Sequence, residues 1–209
     1  MSLPICTLSP LPSLLLLLSF FLLTRVHAAP PVIHAFVALC DNASQGIAPV
    51  PAKIGNGDDP DNNLYWGCDD GLRSVFSKSK AWQKLPVPAA GIDPDGDGPI
   101  LQRLVFRHRA SGAILVGDAY RGREIKTCLT HHFAALAGHH PVKIKTDDAE
   151  YDAGGAAQLI AYLGHNGLME FNVDVPIPTP AVKAAPRTTI ALCCISQHYF
   201  QPGLQTAGA

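Results

Sequence analysis

Two apolar runs of strand length stop abruptly on side chains able to do nucleophilic chemistry. Residues 156–163 end on Gly164-His165, and residues 188–192 end on Cys193-Cys194. Runs that are apolar on both faces predict buried strands of a parallel sheet. In such sheets ligands bind beyond the carboxyl ends of neighbouring strands. A His and a Cys on two adjacent strand tips make a nucleophile–base pair, because a thiol is only a few per cent ionised at neutral pH and an imidazole raises its thiolate fraction.

The elements that must position this pair follow from the pattern of the rest of the chain. Val32 to Cys40 predicts a first buried strand, rich in β-branched and aromatic residues. A loop of over twenty residues opens at Asp41, carries an Asn42-Ala43-Ser44 glycosylation sequon, and is placed to wall a cleft at the strand tips. Leu64 to Lys84 predicts a helix with Leu64, Cys68, Leu72, Val75 and Phe76 on one stripe. Leu101–Arg109 and Ala113–Tyr120 flank Ala110-Ser111-Gly112 as a hairpin. A second helix is predicted over Arg123–Ala137, with Ile125, Leu129, Phe133 and Leu136 inward and Gly138 at its end. The two apolar runs then follow as central strands. Alternating strands and helices imply an α/β sandwich around a mostly parallel sheet.

Composition sets the class. The 209 residues, 47 % of them hydrophobic, suffice for one sizeable core. A net charge of −1 without a basic stripe argues against nucleic acid or an anionic membrane as partner. Leu14 to Leu23 is a short apolar run followed by Val26-His27-Ala28, which predicts a secretory signal over residues 1–28, a domain over 29–209, and a secreted, envelope or periplasmic location. Cleavage leaves Cys40, Cys68, Cys128, Cys193 and Cys194, an odd number, so at least one thiol stays free; a Cys40–Cys68 bridge remains open.

The chain resembles the caspase-like family of cysteine peptidases. Leu163-Gly164-His165 is similar to the family's His-bearing strand end, Cys194-Ile195-Ser196 to its Cys-x-Ser, and Gly67-Cys68-Asp69-Asp70 to the start of its first helix. The resemblance implies a three-layer caspase-like sandwich and peptide-bond hydrolysis of a peptide or protein substrate. Cys194 is then the nucleophile, His165 the base, and the backbone amides of Cys194 and of Asn166 or Gly167 the oxyanion donors. Asn166 stands where the family has Gly, and Asn tolerates the left-handed backbone that would aim its amide. Leu192 stands where relatives that cut after basic residues carry Asp. Asp41 is a candidate pocket residue, with a solvated loop carboxylate as its alternative. Thirteen residues follow Ser196, so the family's further strands are expected to be shortened or supplied by another chain. The other functional class is a catalytically inactive module that binds a protein partner.

No cofactor is required. Asp93, Asp95 and Asp97 alternate as in a calcium loop, but Leu104 occupies the twelfth position, where an EF-hand needs Glu. Calcium there competes with an ordinary solvated acidic turn. His131-His132 and His139-His140 could suggest a metal, but neighbouring His residues within a helix point to different sides and the second pair falls beyond Gly138, so a solvated helix end is expected rather than a metal.

Overall fold

The computed structural model describes residues 29–87, 92 and 96–209. The expected leader lies outside these residues, as do Asp93 and Asp95. No helix among the described residues is long and apolar enough to cross a membrane.

Among the described residues, eight strands and four α-helices follow one another in the order β1 (Val32–Ala38), α1 (Leu72–Lys78), β2 (Trp82–Leu85), β3 (Ile100–His108), β4 (Ile114–Tyr120), α2 (Ile125–Leu136), β5 (Pro141–Lys145), β6 (Glu150–Gly154), β7 (Leu159–Leu163), α3 (Pro180–Ala184), β8 (Thr188–Leu192) and α4 (Ser196–Ala207). Six strands form one sheet in the order β2-β3-β4-β1-β7-β8, and β5 and β6 pair by themselves. The β4-β1-β7-β8 half is parallel, and β2 and β3 extend it antiparallel. The chain is therefore a mixed α/β protein built on a mostly parallel central sheet.

Side chains alternate across β1, which divides the core in two. Phe36 and Ala38 join α2 residues Leu129 and Phe133 and Phe200 of α4 on one face. Ala35, Val37 and Leu39 join Trp66 and Leu72 on the other. The apolar spacing of α2 works as expected: Ile125, Leu129, Phe133 and Leu136 are all buried. Gly138, at φ +84, turns the chain out of that helix in the left-handed conformation that favours glycine.

Three expectations are corrected. The helix over Leu64–Lys84 shrinks to the seven residues of α1. Its first part is a series of turns pinned by Asn63, whose backbone carbonyl accepts from the N–H groups of Trp66, Gly67 and Cys68. Its last part, from Trp82, leaves the helix to pair with β3. The β8 run is not central but is the edge of the sheet, and Ile190 and Leu192 are exposed. Of the four histidines at the end of α2, His139 is exposed as expected, but His132 is buried and His131 and His140 are half-buried. The His132 ring is enclosed by Phe36, Phe133, Tyr162 and Phe200, and His131 stacks on His140 with ring centroids 4.0 Å apart. The β5–β6 hairpin and α4 add to what the periodicity of the sequence revealed.

Candidate functional site

The parallel register decides what shares the carboxyl edge of the sheet. Val37 of β1 pairs with Leu163 of β7, which pairs with Leu192 of β8. His165 and Cys194 each lie two residues beyond that matched pair, so the two tips stand side by side at one edge. Adjacent strands run about 4.8 Å apart, within reach of two tip side chains. The tips are also tied together directly. The Asn166 side-chain amide donates to the Cys194 carbonyl at 2.7 Å, and Gly164 N–H to the Leu192 carbonyl at 3.3 Å.

Each reactive side chain has a local anchor. Tyr162 OH donates to the His165 carbonyl at 2.6 Å, which also accepts from Gly167 N–H at 3.1 Å. The His165 ring is nearly buried, and its Nε2 lies 2.7 Å from Glu170 Oε1. Cys194 is exposed. The next residue, Ile195, takes the left-handed conformation at φ +50 and opens α4. That conformation is strained for a β-branched side chain, and such strain clusters at functional turns.

The two thiols of the pair differ in environment. Burial, then the neighbouring Cys194 charge, pushes the Cys193 thiol up to about 12, so Cys193 stays protonated and inert at neutral pH. Tyr65 sits among the same sulfurs. Burial, followed by the charges of Cys40, Cys194 and Cys193, raises its phenol to about 12. An open depression of about 580 Å3 lies against Cys193, Ile195, Ser196, Gln197, His198 and Gln201, between the β8 tip and α4.

The other sequence-predicted residues fall as follows. Gly167 spends its amide on the His165 carbonyl and is not free as an oxyanion donor. Asn166 is not left-handed, with φ −81. Its side chain is fully buried and serves the Cys194 carbonyl. The backbone N–H groups of Asn166 and Cys194 make no hydrogen bond among the described residues. Asp41 turns its carboxylate onto its own loop, accepting from Ala43 N–H at 3.0 Å and from the Ser44 hydroxyl. Asn42, the sequon residue, has both ends of its amide bound to the backbone of Val50. Cys40 and Cys68 are free thiols, and Cys68 Sγ donates to the Leu64 carbonyl, so no bridge joins them. Among the described residues Asp97 approaches Arg123, at 3.9 Å, and no group of three or more His, Cys, Asp or Glu side chains is arranged to hold a metal ion.

Two constellations were missed by sequence reasoning. One is Glu170, five residues beyond His165, for which the sequence offers no signal. The other is a buried network in mid-sheet: Arg103 donates to Asp118 through Nε and Nη2 at 2.6 and 2.7 Å, and His34 Nε2 lies 3.0 Å from the same carboxylate. His34 Nδ1 accepts from Gly154 N–H at 2.9 Å, so Nε2 carries the proton and donates to Asp118. Burial alone would raise the Asp118 carboxyl, but the neighbouring His34 ring and Arg103 guanidinium overcome it and hold the group well below the usual carboxylate range. A single polar side chain in each of the otherwise apolar strands β1 and β4, His34 and Asp118, was the available clue. With His34 and Asp118 wholly enclosed, this network braces β1, β3 and β4 rather than meeting a substrate.

The fold and tips thus define a mixed α/β protein with a Cys and a His side by side at the carboxyl edge of a parallel sheet. Comparison of the chain with profiles of known families, with curated proteins and with solved structures returned no match.

Proposed function

We propose that the protein is a caspase-like cysteine peptidase in which Cys194 attacks the peptide carbonyl and His165 moves the proton. The matched register that sets the two residues side by side, two positions beyond Leu163 and Leu192, carries this reading. In the reaction the Cys194 thiolate adds to the carbonyl carbon. The oxyanion is received by the N–H groups of Cys194 and Asn166, and His165 delivers the thiol proton to the departing amine. Water then releases the acyl group from sulfur. The leader-like pattern of residues 1–28 supports a secreted or envelope location for this chemistry. The second reading, an inactive module that binds a protein partner, is favoured by Leu192 and Ile195, which are 60 % and 62 % exposed beside the tips.

Labelling with iodoacetamide or a peptidyl electrophile at neutral pH, read residue by residue by mass spectrometry, separates the two. Cys194 in the folded chain should react roughly tenfold or more faster than a free thiol, and His165→Ala should remove that advantage. Cys193→Ala should leave labelling unchanged. Undiminished labelling in His165→Ala would reduce Cys194 to an exposed thiol and leave the binding module as the better account.

A further inference from the structure

We infer that Glu170 is a positioning residue for His165, holding its Nε2–H so that Nδ1 faces the proton to be moved; this rests on the Cys194–His165 reading. Across the 2.7 Å contact the Glu170 carboxylate oxygen accepts from Nε2–H. That fixes the tautomer and leaves Nδ1 as the basic nitrogen. Of the charged side chains described, Glu170 is the one in ion-pair distance of the ring. As His165 gains the thiol proton, the carboxylate faces the imidazolium that forms, which favours the thiolate over the thiol.

The carboxylate is itself held by the loop that follows β1. Glu170 follows a 3-10 turn, Gly167–Met169, and donates its own N–H to the Gly167 carbonyl at 2.9 Å. Its Oε1 also accepts from Gly46 N–H at 3.2 Å, in the loop that follows β1. Gly46 has to lack a side chain for this approach. A Cβ there would lie 2.5 Å from Oε1 and 2.9 Å from Cδ of Glu170. The long loop after β1 thus closes onto the very oxygen that meets His165, and it contributes to the site through backbone rather than through Asp41. Glu170 is 37 % exposed, so solvent weakens the pair without abolishing it.

Two variants perturb the carboxylate independently. Glu170→Gln removes the charge and keeps the shape. Gly46→Ala keeps the charge and pushes the flexible end of Glu170 away. Iodoacetamide labelling of Cys194 is measured at about pH 7 and at about pH 9.5, below and above the ordinary thiol range near 8.5. Both variants should label about tenfold more slowly than the wild type at the lower pH and at nearly the wild-type rate at the higher, where the thiol ionises without help. A cleft that had merely lost its shape would slow at both pH values, and that outcome overturns the inference. So does wild-type labelling at both pH values in the two variants, while the slowing by His165→Ala keeps the peptidase reading intact. If wild-type Cys194 reacts no faster than in the urea-unfolded chain, both readings fall together.

Discussion

Replacing His132 by Leu should flatten the acid sensitivity of the fold. The ring of His132 is wholly buried on the sheet-facing side of α2, and neither nitrogen has a hydrogen-bond partner among the described residues. Burial, and after it the nearby His34, pushes the imidazole down to about 3. In the unfolded chain it titrates near 6.5. Above that value both states are neutral and pH has no effect through this group. Below it the unfolded chain takes up a proton that the folded ring refuses, so stability falls as pH falls, by about 1.4 kcal/mol per unit down to about pH 3. Between pH 7 and pH 5 the active span is about 1.5 units, which amounts to about 2 kcal/mol. His140, brought down to about 4 chiefly by burial, adds a loss of the same sign, but it is present in both proteins and cancels in the comparison. Asp118, whose carboxyl is depressed, contributes below the ordinary carboxylate range and stays outside this window. Urea unfolding at the two pH values measures the difference directly. The wild type should lose about 2 kcal/mol more than His132→Leu on going to pH 5. At pH 7 the variant should match or exceed the wild type, because two unpaired buried nitrogens are removed. Parallel pH dependence in the two proteins would refute the reasoning, as would a variant less stable at pH 7 by more than about 2 kcal/mol, the signature of hydrogen bonds lost.

Asp118→Asn should destabilise the fold by about 3–5 kcal/mol, because it leaves the Arg103 guanidinium buried without its counter-charge. Adding Arg103→Met should recover part of that loss in a thermal melt, and strict additivity of the two changes would disprove the pairing. Ile195→Gly should stabilise by about 1 kcal/mol, since it relieves a left-handed β-branched residue whose exposed side chain gives up little packing. A loss of urea stability in this variant would mean that the turn is unstrained.

What the sequence by itself determined here is local. The β1 strand, the β3–β4 hairpin, α2 with its glycine end, and the halting of two apolar runs at His165 and at Cys193-Cys194 all follow from the spacing of apolar residues and turn formers within a dozen positions. Where two local signals competed, tertiary pairing decided. Trp82–Leu85 continues a helical stripe in sequence, but β3 offers it a ladder, and it becomes a strand. The β5–β6 pair was not read from the sequence at all, and only the tertiary structure sets it apart from the main sheet. Likewise, β8 reads as a buried run, and only the strand order puts it at the edge. The polar groups depended most on the tertiary structure. Asp118 meets Arg103 fifteen positions away and His34 eighty-four away, and Glu170 meets Gly46 across 124. A carboxylate in an apolar run carries no mark of which distant donor will satisfy it. Burial makes the partner obligatory, and the pairing of strands and loops far apart in sequence chooses which one it is.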